Sequence, residues 1–225
     1  MIAMRTDESR RRLFLPEMEG VSARWYSRQR GNPKQLAAFR AQAAELTAGA
    51  SPGTDVLEVA PGPGYLAIEI ARLGHRVIGL DISRSMVEIA RSNAAAVGVG
   101  VDFRQGDASA MPFADESFDL VVCQAAFKNF RQPVSALDEI WRVLRPAGVA
   151  VIQDLRKEAT HAEVAAEVQA QGLNAVSGFV TRTILEGLRS RAYSVEGFGR
   201  LVAESRFGSC QITTSGIGLD VRLSK

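Results

Sequence analysis

The stretch VLEVAPGPGY, Val56–Tyr65, decides how this chain folds. Val56, Leu57 and Val59 make a short apolar run suited to a buried strand. Pro61, Gly62, Pro63 and Gly64 then force a turn, and Tyr65–Leu73 continues in residues that favour a helix. Strand, glycine turn and helix in that order form one βα unit. Gly62 and Gly64 let the backbone bend sharply and approach a ligand with no Cβ in the way.

The same alternation repeats to the C-terminal side. Further strands are predicted at Arg76–Leu80, Val101–Arg104, Phe118–Gln124 and Gly148–Asp154, with helices at 83–97 and 133–144. Ser83 is placed to cap the first of these. Strands separated by single helices require crossover connections, hence a mainly parallel sheet covered on both faces. Cys210–Thr214 and Ile217–Leu223 alternate with period two around Ser215–Gly216 and predict a hairpin of antiparallel edge strands. The expected architecture is α/β, a Rossmann-like seven-stranded sheet ending in that hairpin. One domain of 225 residues accounts for the whole: a helical N-terminal arm (1–50), a core (51–155), a helical lid with the last core helix (156–206) and the hairpin (207–225).

Spacing alone leaves the ligand of the loop ambiguous. Gly62, Gly64 and Ala67 satisfy the dinucleotide fingerprint, and Asp81 lies about where that fingerprint places its ribose-binding acid. The chemistry of the loop leans elsewhere. A pyrophosphate needs backbone donors and positive charge. Pro61 and Pro63 each remove a donor, no Lys or Arg occurs between Asp55 and Ala71, and the strand carries Glu58. An acidic, proline-stiffened loop suits a ligand with cationic groups and no phosphate.

From Val56 to Asp154 the chain resembles the class I methyltransferases that use S-adenosylmethionine (SAM), in particular the small-molecule group that includes the menaquinone and ubiquinone C-methyltransferases. VLEVAPGPG resembles the glycine motif of that family, with Ala60 in place of its usual first glycine; GLDIS (Gly79–Ser83) resembles the second motif and Gly106–Ala108 the third. MPFADESFDLVV (Met111–Val122) and RVLRPAGVAVI (Arg142–Ile152) are also typical, with Ala147 where a glycine is commoner. The resemblance implies a SAM-binding core in which Glu58, Ala60, Gly62 and Gly64 hold the amino-acid end. Asp81 takes the ribose, Ile82 and Met86 pack on adenine, Gly106, Asp107 and Ala108 meet its edge, and Gln124 lies near the sulfonium.

Methyl transfer is an in-line displacement, so the protein mainly aligns the acceptor and excludes water. A base is needed only if the acceptor must lose a proton. The candidates follow the fourth and fifth strands: Gln124, Lys128 with Asn129, and Asp154. In the arm, Tyr26, and after it Trp25, are placed to shield a sulfonium by cation–π contact. Lys128 or Asn129 would touch substrate in a pocket wall; alternatively Phe127 and Phe130 pack the core with Lys128 solvated, Asp154 caps the next helix, and Tyr26 and Trp25 serve helix packing. His75 reads as a surface residue of its turn and His161 as a weak candidate base. Residues 156–200, with Phe179, Arg182, Arg189, Arg191 and Tyr193, are expected to form a lid that carries specificity.

Composition bounds the rest. A formal charge of +2 is too small to argue for nucleic acid, although nine Lys/Arg against four Asp/Glu make the first forty residues basic. Two cysteines, Cys123 and Cys210, form neither a disulfide framework nor a zinc motif, and no metal site is expected. No apolar run spans a bilayer and no signal sequence is visible, so a cytoplasmic protein is expected. A homodimer stays open. The predicted function is methylation of an O, N or C atom of a small organic molecule, releasing S-adenosylhomocysteine. A cyclase or rearrangement enzyme on the same scaffold is the alternative, followed by a nucleic-acid or protein methyltransferase. A non-catalytic SAM-binding module and an NAD-dependent oxidoreductase rank below these.

Overall fold

In a computed structural model describing residues 18–170 and 175–225, side chains of β1 (Asp55–Val59) alternate between two cores. Leu57 and Val59 face a cluster that takes in Val121, Cys123 and Ile152 from neighbouring strands. Val56 faces the other, with Leu120, Val122 and Val151. A strand buried on both faces must be interior, and β1 pairs in parallel with β2 (Arg76–Asp81) on one side and β4 (Phe118–Gln124) on the other. The sheet order is β3-β2-β1-β4-β5-β7-β6, with β3 at Asp102–Gln105, β5 at Leu144–Leu155, β6 at Gln211–Ser215 and β7 at Gly218–Ser224. Strand order therefore reverses between β1 and β4, where open α/β sheets bind ligands at the carboxyl ends of their strands.

Helices cover both faces. Against the Val56 face pack Phe39 and Ala43 of α2 (Pro33–Leu46), Leu66, Ala67 and Ile70 of α3 (Tyr65–Arg72), and Val87, Ala90 and Ala94 of α4 (Arg84–Ala96). The Leu57 face takes Leu137, Ile140 and Val143 of α5 (Pro133–Val143) and Phe198 and Val202 of α8 (Val195–Glu204). Two helices, α6 (His161–Ala170) and α7 (Ala175–Arg189), lie between β5 and α8 in sequence. The part of the expected helical arm before residue 18 lies outside the described residues; from there the arm is α1 (Gly20–Arg30) followed by α2.

The C-terminal hairpin forms, with one difference from the sequence reading. Of its two strands, only β6 lies at a sheet edge. β7 inserts between β5 and β6, antiparallel to both, because its Leu219, Val221 and Leu223 complete the core beside β5. His75 also departs from expectation and is buried. Hydrogen bonds from Gly53 N to Gly74 O and from Arg76 N to Thr54 O draw its turn onto the sheet.

The two residues standing where the resemblance expects glycine adopt the conformation a glycine would. Ala60 has φ +56° and Ala147 φ +65°, both left-handed. Each is strained by about 1–2 kcal/mol relative to an ordinary L-residue conformation. True glycines are indispensable elsewhere. A Cβ on Gly64 would stand 2.5 Å from the Phe103 ring, and so would one on Gly79, so the first two motifs close around one buried phenylalanine.

Candidate functional site

Glycine motif, second motif and third motif converge at the carboxyl ends of β1, β2 and β3 around a cavity of about 270 Å3. Its walls include Val59 and Ala60 from β1 and its turn, Asp81–Ser83 and Met86 from β2 and α4, and Gly106–Ser109 after β3. Gln124–Ala126 and Asn129–Gln132 close it from the β4 side. A larger open groove, about 800 Å3, lies at the other ends of the strands. We assign it no role: its Asp55, Arg76 and Arg145 are already engaged in one ion-pair network, and it lies away from the strand-order reversal.

Asp81 organises the cavity. Its Oδ2 accepts from Gly62 N and its Oδ1 from Ser83 N, each at 2.9 Å, so one carboxylate fixes the glycine turn and the start of α4 together. Burial raises its pKa above the ordinary carboxylate range, and the two backbone hydrogen bonds oppose that shift. Each oxygen keeps a lone pair for further donors. Ser83 caps α4 by accepting from Met86 N. Asp107 is exposed, and its Oδ1 takes both the amide and the hydroxyl of Ser109.

Beside the main cavity is a small chamber of about 40 Å3 lined by Glu58, Pro61, Pro63 and Tyr65. Tyr26, Ala60, Gln124 and Ala125 border both spaces. Glu58 is buried, and its Oε2 has no hydrogen-bond partner. Burial pushes its pKa up to about 8, while a hydrogen bond from the Ala67 amide in the first turn of α3 acts the other way. The helix N-cap is Gly64, which has no side chain to offer, and Glu58 serves that amide from the neighbouring strand. A sealed carboxyl with one unused oxygen is a receptor for a cationic donor.

The arm closes the cavity from above. Ser83 Oγ donates to Met18 O, Ser85 N to Glu19 Oε2, and Gly20 N to Ser85 Oγ. At the far end of α1, Tyr65 Oη donates to Ser27 O. Held at both ends, α1 turns Tyr26 over the glycine loop, with Cε1 3.9 Å from where a Gly62 Cβ would stand. Trp25 points to solvent.

The structure separates the remaining candidates. Lys128 and Asp154 line neither space; they form a buried ion pair, Nζ to Oδ1 2.7 Å. Lys128 is thus neither a wall of the pocket nor solvated, the two roles the sequence suggested, because Asp154 of the adjacent strand draws it inward. Phe127 is fully buried, whereas Asn129 and Phe130 reach the cavity. Residues 156–206 contribute nothing to the cavity wall among the described residues, so the expected lid is not seen there. Tyr193 packs on Phe127 and Phe198, Arg189 pairs with Glu186, and Phe179 is exposed. His161 is exposed and meets Glu186. Met18, Arg131 and Gln132 border the cavity and were not anticipated; their sequence carries no motif. Among the described residues, no group of three or more His, Cys, Asp or Glu side chains could hold a metal ion, and no helix is long and apolar enough to cross a membrane.

This sheet order is that of the Rossmann-like methyltransferase fold. Residues 57–152 match the family described as "Methyltransferase domain", and within that class the likeness is to the menaquinone-type enzymes. The chain is 40% identical over 99 residues to the demethylmenaquinone methyltransferase of Deinococcus radiodurans, covering 43% of this chain and 41% of that protein. The matching stretch spans 41–45% of the first three such relatives. Among solved structures, a SAM-dependent methyltransferase from Aquifex aeolicus superposes with a TM-score of 0.66 at 17% identity, over 89% of this chain and 97% of that one. The (4+2)-cyclase SpnF is 31% identical with a TM-score of 0.52, over 55% of this chain and 47% of its own.

Proposed function

We propose that this chain is an enzyme that binds SAM across the two connected spaces and methylates a small organic molecule. The observation that carries this reading is Glu58, which lines a chamber too small for anything but the end of a ligand and holds a buried oxygen with no partner. An ammonium group answers that oxygen, and SAM has one. Gly62 and Gly64 let the amino-acid end pass close to the backbone. Asp81 takes the ribose hydroxyls with its spare lone pairs, Ile82 and Met86 flank the adenine, and Asp107 with Ala108 meets its edge. Bound in this way, the donor supplies a methyl group on a sulfonium that passes in line to an O, N or C nucleophile, leaving S-adenosylhomocysteine.

The chain's own work is placement and exclusion of water. Tyr26 and α1 cover the loop, and Asn129, Phe130 and Gln132 border the space left for an acceptor. Neither His nor Lys lines that space among the described residues. Acceptors that ionise readily, such as phenols and quinols, suit it best. The test is incubation with SAM and a panel of small phenols, quinols and amines, read by mass spectrometry for the gain of one methyl group. Failure of SAM to bind in calorimetry would sink the reading.

The likeness to a cyclase supports a second reading, in which the same scaffold promotes a rearrangement without giving up methyl. Product mass separates the two, since an isomerisation leaves it unchanged.

A further inference from the structure

Four polar side chains form a chain of hydrogen bonds leading away from the cavity. Gln124 Nε2 donates to Gln42 Oε1 at 2.8 Å, Gln42 Nε2 donates to Gln153 Oε1, and Gln153 Nε2 donates to Asp220 Oδ1. The sheet puts them in one row. Gln124 pairs with Gln153 across β4 and β5, and Gln153 with Asp220 across β5 and β7. Strand alternation turns all three toward α2, because Val122 and Val151 face that side and Leu219 and Val221 face the other. Gln42 of α2 bridges the row. The backbone reinforces it, with Ala125 N donating to Gln153 O at 2.7 Å.

The direction of such a chain is set by its terminus. A carboxylate only accepts, so Gln153 must offer Asp220 its NH2 group and keep its carbonyl for Gln42. The same logic then orients Gln42, and after it Gln124. Every carbonyl oxygen is consumed within the chain except that of Gln124, the one member that borders the cavity.

We infer that Asp220, through Gln153 and Gln42, fixes the Gln124 amide so that its carbonyl oxygen, and not its NH2 group, faces the ligand, and that this favours the sulfonium donor over its neutral thioether product. This rests on the SAM reading above. Gln124 borders both the Glu58 chamber and the Asp81 cavity, and in SAM the sulfur joins the ammonium-bearing arm to the ribose. The negative end of an amide dipole there attracts a sulfonium and gains little from a thioether. Gln42, Gln153 and Asp220 are positioning residues that act through Gln124.

Two measurements test this. In ligand-free protein labelled with 15N-glutamine, the side-chain NH2 of Gln124, assigned by Gln124→Glu, should show through-space contact with Gln42. Asp220→Asn, which lets the chain reverse, should weaken that contact. In calorimetry, Asp220→Asn should loosen SAM about tenfold, the scale of one hydrogen-bonding group acting on a charge. It should move S-adenosylhomocysteine less than about twofold. Gln42→Leu cuts the relay from α2 without touching the sheet and should give the same lopsided loss. A contact absent from the wild type overturns the relay, and equal changes for the two ligands overturn its role in selectivity. If the wild type binds neither ligand, the SAM reading falls and selectivity with it, while the ligand-free spectrum still decides the relay.

Discussion

Lys128 Nζ lies 2.7 Å from Asp154 Oδ1, with both side chains almost wholly withdrawn from water. The lysine also donates to Ala125 O, and the carboxylate accepts from the backbone amides of Lys128 and Leu155. The pair thus ties the turn after β4, part of which borders the cavity, to the end of β5. Removing the lysine leaves a buried carboxylate without its counter-charge, a defect worth about 3–5 kcal/mol. Lys128→Met should therefore lower the urea midpoint by that amount of stability. Replacing Asp154 by Leu as well should not restore it, since two backbone amides lose their acceptor at about 1–3 kcal/mol each. If Lys128→Met keeps its stability and loses only turnover, the lysine belongs to the chemistry and the structural assignment is wrong.

That pair also shows where sequence reading stops. The strands were legible because Leu57, Val121 and Ile152 sit in short apolar runs punctuated by glycine and proline, and Ser83 was legible as a cap from its place before a helix. These signals are local. Lys128 and Asp154 are far apart in the chain, and their meeting depends on the parallel register of β4 and β5. The docking of Met18–Gly20 on Ser83 and Ser85 is equally non-local. So is the insertion of Gln42 between Gln124 and Gln153. The glycine loop pointed to the strand ends where the cavity lies, and contacts between distant segments determined which neighbouring residues border it.

Ala60 and Ala147 hold left-handed backbone conformations that cost an L-residue about 1–2 kcal/mol. Glycine removes that cost but makes the unfolded chain more disordered by about 0.4–1 kcal/mol. The balance favours glycine. Ala60→Gly and Ala147→Gly should each stabilise the protein by about 0.5–1 kcal/mol, seen as a rise in the thermal midpoint. A fall at either position would show that the methyl group makes packing contacts that outweigh the strain.

Gly64 is the opposite case. Its φ of +78° is already left-handed, and a Cβ there would meet Phe103 Cζ at 2.5 Å and Ala90 Cβ at 2.9 Å. Overpacking costs about 1–3 kcal/mol, and backbone strain adds to it. Gly64→Ala should destabilise by about 2–4 kcal/mol in denaturant titration. Adding Phe103→Leu, which vacates the ring, should recover part of the loss. Full additivity of the two substitutions would mean that the ring is not what excludes the methyl group.

Glu58 makes both ligand affinity and stability depend on pH. Its pKa of about 8, raised chiefly by burial, keeps the carboxyl largely protonated at neutral pH in the ligand-free protein. An ammonium group seated against it requires the ionised form. SAM binding should then release a proton and tighten as pH rises from 6 to 8, approaching tenfold per unit well below 8 and levelling above it. Stability follows the reverse course. The folded pKa lies above the unfolded one, so the favourable contribution is complete below the ordinary glutamate value of 4.5 and is lost as pH rises through about 8. Glu58→Gln removes the titrating group while keeping the shape. It should flatten both profiles, weaken SAM most above pH 8, and make the protein more stable than wild type at pH 9. Calorimetry in two buffers of different ionisation enthalpy counts the released proton. A wild-type profile as flat as that of Glu58→Gln would remove Glu58 from the ammonium site.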